Sequence, residues 1–240
     1  MLILDNINYK IDNKEIIKDI NYTFEEGKIY ILTGPNGGGK TSLGKAIVGL
    51  YPTDNGKIIF NNVDITHTSI SDRAKMGFSY AFQTPINFKG LAVKDILSLS
   101  CKSKDTKILN SLLSKVGLCG KEYLERELDG RLSGGEIKRI EIASVLAKRN
   151  TIFYIFDEPE AGIDLWSFKE LVSIFKELKK ENKTIIIVSH QEKILELSDY
   201  ILVINKGTIE RSGPSKKILT TLVPNEKENN CEGCLKKELS

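Results

Sequence analysis

Gly34-Pro35-Asn36-Gly37-Gly38-Gly39-Lys40-Thr41-Ser42 is the stretch whose reading decides the fold. It matches G-x-x-x-x-G-K-[ST], and its surroundings are those the motif requires. Ahead of it, Lys28-Ile29-Tyr30-Ile31-Leu32-Thr33 is a short apolar run of buried-strand type. Behind it, Leu43, Ala46, Ile47 and Leu50 recur at helical spacing. Strand, glycine loop and helix in that order build a phosphate cradle. Glycines let the backbone wrap a phosphate, and freed N–H groups at a helix N-terminus supply positive potential. Lys40 is expected to reach the β- and γ-phosphates and the Thr41 hydroxyl to bind Mg²⁺. The stretch predicts binding of a nucleoside triphosphate.

Working outward, the N-terminal side reads as two loosely alternating strands, residues 2–9 and 16–24, joined by the turn Asp12-Asn13-Lys14. On the C-terminal side, Pro52-Thr53-Asp54-Asn55-Gly56 breaks the chain before a strand at Lys57-Ile58-Ile59-Phe60. A further strand, Gly77 to Phe82, ends on Gln83 and is stopped by Pro85. From Gly90 to about Gly130 the spacing of Ile96, Leu97, Leu99, Ile108, Leu109, Leu112, Leu113 and Val116 predicts a small helical insertion of marginal core. Ser98 to Lys104 reads as a loop inside it.

Leu132-Ser133-Gly134-Gly135-Glu136 opens the next helix, with Ser133 and Glu136 spaced as a capping box. Thr151 to Phe156 is a continuous apolar strand running into Asp157-Glu158, and Thr184 to Val188 another, ending at Ser189-His190. A helix from about Trp166 to Asn182 lies between them. A hairpin, Tyr200–Ile204 and Thr208–Arg211, closes the ordered chain.

Strands alternating with helices imply a largely parallel, doubly covered α/β sheet. Ligands of such sheets sit at the carboxyl ends of the strands. Gln83, Asp157, Glu158 and His190 all fall at or just past such ends. Asp157 can bind Mg²⁺ directly or through water, and Glu158, one residue on, is placed to accept a proton from an attacking water. His67, the other histidine, reads as a surface loop residue.

Composition sets bounds on partners. The 240 residues are 40% hydrophobic and 28% charged, as in soluble globular proteins. A net charge of +3, with both signs interspersed, gives no argument for nucleic acid. No apolar run approaches the roughly 18 residues of a membrane span, and the N-terminus does not read as a signal peptide. Four cysteines at irregular spacing do not form a secreted disulfide framework. The expected compartment is the cytoplasm.

Together these pieces resemble an ATP-binding cassette (ABC) ATPase, from about residue 2 to 222. Leu132 to Glu136 stands as the family's complete signature, Gln83 at its glutamine loop, His190 at its switch histidine, and Asp164 in the loop that crosses to a second subunit. The resemblance implies a P-loop NTPase with a mixed, mostly parallel core sheet, an antiparallel β subdomain and a small helical subdomain at about 90–130. It implies ATP and Mg²⁺, the metal held at Thr41, Gln83 and Asp157, and a second copy paired head to tail. In that pair Ser133, Gly134 and Gly135 of one chain cap the γ-phosphate on the other. Glu158 would polarise the lytic water, His190 would contact the γ-phosphate, and Gln83 would report site geometry to a partner protein. The family's usual adenine-stacking aromatic is replaced by Ile11, with Tyr9 nearby.

Within the family, three stretches look closer to the SufC-type ATPases of iron–sulfur cluster assembly: Phe82 to Pro85 with Gly90 following, Ser133 to Glu141 with its Lys-Arg-x-Glu segment, and Glu160 to Asp164. A SufB/SufD-like scaffold is then the expected partner. Asp157-Glu158-Pro159 points instead to a transporter cassette, whose partner is a membrane subunit. In the polar tail, residues 223–240, Cys231-Glu232-Gly233-Cys234 reads either as two reduced thiols or as half of a metal, iron–sulfur or redox site. Completing such a site would take a partner, a second copy, or Cys101 and Cys119. Cys119, beside Leu118, reads as a small buried apolar residue.

Overall fold

A computed structural model describes residues 1–85, 90–129 and 131–222. In chain order the elements are β1 (Leu2–Ile11), β2 (Lys14–Phe24), β3 (Ile29–Thr33), α1 (Lys40–Ile47), β4 (Asn55–Phe60), β5 (Val63–Asp64), α2 (Ile70–Lys75) and β6 (Phe78–Ala81). Then follow α3 (Val93–Cys101), α4 (Thr106–Lys115), α5 (Gly120–Tyr123), α6 (Gly134–Leu146), β7 (Phe153–Asp157) and α7 (Leu165–Lys180). The last are β8 (Thr184–Val188), α8 (Glu192–Leu195), β9 (Tyr200–Asn205), β10 (Thr208–Pro214) and α9 (Ser215–Leu222).

The continuous apolar runs of β3, β7 and β8 are explained by burial on both faces. Strand alternation sends Ile29, Ile31, Tyr154, Phe156, Ile185 and Ile187 into one core, with α3 to α7. It sends Tyr30, Leu32, Phe153, Ile155, Ile186 and Val188 into a second core, with α1, β1, β2 and β4. The sheet between them runs β10-β9-β3-β8-β7-β6. The β3–β8, β3–β9, β6–β7 and β7–β8 pairings are parallel, and β10 joins β9 antiparallel. A separate antiparallel sheet, β2-β1-β4-β5, lies over the second core. This is the expected mixed α/β architecture with its antiparallel subdomain. Because β3, β6, β7 and β8 are parallel, their carboxyl ends share one edge, and the residues that follow them meet there.

The helical insertion is better anchored than the sequence suggests. Its two ends are pinned to each other: Val93 N–H donates to the Arg126 carbonyl (2.9 Å) and Leu128 N–H to the Leu91 carbonyl (2.9 Å). Leu97, Leu109, Leu113 and Val116 are buried in the same cluster as β7 and β8, so its core is not marginal. Ser98 to Cys101 is the last turn of α3 rather than loop, because Leu97 and Cys101 at i, i+4 keep that face inward. The turn stops where Lys102 adopts the left-handed conformation at φ 53°. Cys119 is exposed at the start of α5, against expectation, while Cys101 is the buried thiol. The tail pair Cys231 and Cys234 lies outside the described residues, and among those described no cluster of three or more His, Cys, Asp or Glu could hold a metal. Among them, too, no helix is long and apolar enough to cross a membrane.

Arg73, on α2, is a charge at the centre of the fold that no sequence pattern announces. It is 2% exposed. Its Nη1 donates to the Ala46 and Ile47 carbonyls (2.9 and 2.7 Å), Nη2 to those of Ile65 and Thr66 (2.7 and 2.8 Å), and Nε to that of Thr68 (3.2 Å). It thereby gives the Ile47 carbonyl at the end of α1 a donor and adds a second to the Ala46 carbonyl, which also accepts from Gly49 N–H at 3.1 Å. Removing it takes from the buried Ile47 and Thr66 residues the donor that their carbonyls have here, while the Ala46 and Ile65 carbonyls keep the N–H groups of Gly49 and Thr68. Arg73→Met is expected to lower the unfolding free energy by about 3 kcal/mol, read from urea midpoints; an unmoved midpoint would show those carbonyls find other donors.

Candidate functional site

The phosphate loop is set by three glycines with positive φ, Gly34 (127°), Gly37 (74°) and Gly39 (107°). Space as well as φ demands them at two positions. A Cβ on Gly34 would stand 2.2 Å from the Ile204 carbonyl oxygen, and one on Gly39 2.9 Å from that of Ile16. The loop is wedged between β9 and β2. Gly39 starts α1 with no side-chain cap, so the first N–H groups of that helix remain available to an anion. Lys40 is buried, and its Nζ donates to the Gly34 and Pro35 carbonyls at 2.7 and 2.9 Å. Burial pulls its ammonium below the usual lysine range, while Glu158 and Asp157 oppose that shift.

Behind the loop, the Thr41 hydroxyl donates to Asp157 Oδ1 (2.9 Å) and the Tyr80 hydroxyl to Asp157 Oδ2 (2.8 Å). Asp157 is 0% exposed. Burial raises its carboxyl above the ordinary range, and the two hydroxyl bonds pull it part of the way back. A buried carboxylate beside a threonine hydroxyl is a hard-oxygen donor set that suits Mg²⁺.

Glu158 follows in a left-handed conformation, φ 44°, its N–H bonded to the Val188 carbonyl at 3.0 Å. That turn lifts its carboxylate out of the sheet, where Gln83 Nε2 donates to Glu158 Oε2 at 2.8 Å. Across the sheet edge, His190 Nδ1 lies 3.4 Å from the Thr33 hydroxyl. Asn36 to Ser42, Gln83, Glu158 and His190 line one cleft of about 610 Å³ together with Ile11, Lys14 and Ile16. Ile11 lines the cleft, whereas Tyr9 stacks on Tyr51 (4.8 Å between centroids, 16° between planes) and does not. His67 is exposed on its loop.

The signature segment stands elsewhere. Ser133 caps α6: its hydroxyl accepts from Glu136 N–H (3.2 Å) while Ser133 N–H donates to Glu136 Oε2 (2.7 Å), the capping box read in the sequence. Leu132 is buried beneath it. The Tyr123 hydroxyl holds the other Glu136 oxygen. None of Leu132 to Glu136 lines the cleft of its own chain. A Cβ on Gly135 would meet the Gly162 carbonyl oxygen at 2.5 Å, so the loop bearing Asp164 abuts the start of α6. Asp164 itself caps α7, accepting from Ser167 N–H at 3.0 Å and from the Ser167 hydroxyl at 2.8 Å.

Sequence reasoning missed Tyr80, Thr33, Lys138 and Glu141, each of which touches a strand end at this edge. No spacing signal exists for them, because each meets its partner only through the assembled sheet.

Comparison with known proteins gives a consistent picture. A family profile described as ABC transporter matches residues 17–161. An uncharacterized ABC transporter ATP-binding protein of Methanocaldococcus jannaschii is 37% identical over 227 residues, covering 91% of this chain and 90% of that protein. An energy-coupling factor transporter ATP-binding protein of Thermotoga maritima is 36% identical over 217 residues, covering 88% and 80%. Among solved structures, a dimeric ATP-binding cassette bound to ADP and Pi in a post-hydrolysis state superimposes with a TM-score of 0.81. At 22% identity, covering 90% of this chain and 99% of that one, it shares the fold.

Proposed function

The chain belongs to the ABC transporter family of ATP-binding proteins, and from that premise we propose that it is the nucleotide-binding subunit that drives a membrane transporter through a head-to-tail pair. It is an ABC-type ATPase that uses ATP with Mg²⁺. The observation that carries the proposal is a split: the phosphate loop, Gln83, Glu158 and His190 share one cleft, while the capped start of α6 lies outside it. A second cassette paired head to tail would bring Ser133, Gly134 and Gly135 to that cleft, where their helix start would face the γ-phosphate.

Within the cleft the roles follow from the contacts. Asn36 to Ser42 wrap the phosphates, and Lys40 turns its ammonium from two carbonyls to the phosphate oxygens. Thr41, Asp157 and Gln83 would hold Mg²⁺, which neutralises charge on the β- and γ-phosphates. Glu158 takes a proton from the water that attacks the γ-phosphorus as the bond to the β-phosphate oxygen breaks. The Gln83 amide occupies Glu158 Oε2, which leaves Oε1 to face that water. Ile11 and Ile16 offer the base an aliphatic seat.

His190 supplies a pH signature. Burial lowers its pKa below the ordinary 6.5, the positive Lys40 lowers it further, and Glu158 opposes. A lowered value keeps the ring neutral at pH 6.5 and above, so any loss of function from its protonation comes at more acidic pH. The kcat/KM, which reports groups of the free enzyme, is expected to hold down to about pH 6.5 and to fall below it, and His190→Ala should remove that acid limb. An acid limb unchanged in His190→Ala would assign the titration to another group.

The iron–sulfur assembly role, with a SufB/SufD-like scaffold as partner, stands second. What favours it is the Lys138-Arg139-Ile140-Glu141 segment and the aliphatic Ile11. The relatives named above are transporter ATP-binding proteins, which favours the membrane partner; on this reading the chain acts at a membrane through that partner. Capture with Glu158→Gln and ATP separates the two. A multi-span protein recovered only in detergent supports the transporter, and a soluble cysteine-bearing scaffold supports the alternative.

A further inference from the structure

Lys138 is 1% exposed, the most deeply buried lysine among the described residues, yet it lines no ligand cleft. Its Nζ donates to the Phe82 carbonyl and, at 3.5 Å, to the Asp157 carbonyl, and it pairs with Glu141 Oε2 at 3.3 Å. Glu141, one turn further along α6, accepts from Phe82 N–H through Oε1 at 2.7 Å. The ladder between β6 and β7 ends at Ala81 and Phe156. Both backbone groups of Phe82, the first residue the sheet no longer pairs, are therefore taken by two side chains of one helix. Gln83, the next residue, places its amide on Glu158, and Lys138 also holds the carbonyl of Asp157, the residue before Glu158. A buried cation is costly unless fully paired. Here its partners are the last bonds of two strands that carry the hydrolytic pair.

We propose that Lys138 and Glu141 are positioning residues that clamp Phe82 to α6 and so tie the signature helix to the Gln83–Glu158 contact. This deepens the hydrolytic reading and rests on it. When the start of α6 engages a nucleotide on a second copy, a shift of that helix pulls on Phe82 and resets the amide that orients Glu158. The clamp does not touch the phosphate loop and reaches Asp157 only at its main-chain carbonyl, not at the carboxylate that faces Thr41, so its expected effect falls on turnover rather than on nucleotide affinity.

The test is a double-mutant cycle on the full chain, measuring phosphate release at saturating Mg·ATP and affinity for a fluorescent ATP analogue. Lys138→Met is expected to lower turnover by about tenfold or more, with affinity changed by less than about twofold. Gln83→Ala should cost heavily in the parent but less than about twofold on top of Lys138→Met, because the contact is already lost. Loss of packing alone would not produce that non-additivity. If Lys138→Met does not fold, the cycle is run on Lys138→Met/Glu141→Leu, which removes both buried charges together and avoids leaving one unpaired. Equal costs of Gln83→Ala in both backgrounds, or undiminished turnover of the clamp variant, would overturn the clamp while leaving the hydrolytic reading intact. A Gln83→Ala variant as active as the parent would instead remove Gln83 from the hydrolytic site, and the clamp with it.

Discussion

Glu158→Gln is expected to cut ATP turnover by about 100- to 10,000-fold, the contribution of a positioned general base, while leaving ATP binding in place. The substitution preserves size, and a glutamine oxygen still accepts the bond that Gln83 Nε2 now gives to Glu158 Oε2 at 2.8 Å. The left-handed backbone at this residue, φ 44°, is no worse for glutamine than for glutamate. What disappears is the ability to accept a proton. With chemistry stopped after binding, two chains should stay locked around ATP and elute as a pair in gel filtration, against single chains without nucleotide. Turnover at the parental rate would remove Glu158 from the base role. Loss of ATP binding would show that its part is structural.

Lys40→Ala should act on an earlier step. The ammonium is held inside the loop by two carbonyls, and its charge sits uneasily there: burial lowers its pKa and only Glu158 and Asp157 oppose the shift. Phosphate oxygens are better partners, since a charge-assisted hydrogen bond contributes about 1.5–3 kcal/mol. Losing one weakens ATP binding by roughly ten- to a hundredfold on that scale, and losing contacts to two phosphates weakens it more. Titration calorimetry on a chain with an unaltered melting temperature checks this directly. Undiminished affinity would mean that backbone N–H groups alone make the cradle.

These two residues could be read from the sequence because local rules place them. A glycine loop between an apolar strand and an amphipathic helix has one workable geometry, and acids that end a buried strand must emerge at the sheet edge. The same logic located Gln83 and His190. It failed where tertiary partners decide. Ser98-Leu99-Ser100 looks like loop by composition, but Leu97 and Cys101 carry the helix through it. Cys119 follows an apolar neighbour yet faces solvent. Arg73, Tyr80 and Lys138 are single polar residues in ordinary helices and strands. Each is buried or bonded only because carbonyls or carboxylates from distant segments converge on it.

The division between cleft and signature has a consequence for inheritance. In the proposed head-to-tail pair each of the two sites would borrow half its parts from the neighbour, so a defective chain would not merely fail by itself. A chain damaged in its cleft spoils one site of every mixed pair, and a chain damaged at Gly135 spoils the other half of a site in the same way. Expressed together in equal amounts, about half of all pairs are mixed. Two damaged alleles of the same kind compound each other, whereas one of each kind leaves every mixed pair with a single undamaged site. Dominance or complementation between alleles is then decided by which half of the site each has lost.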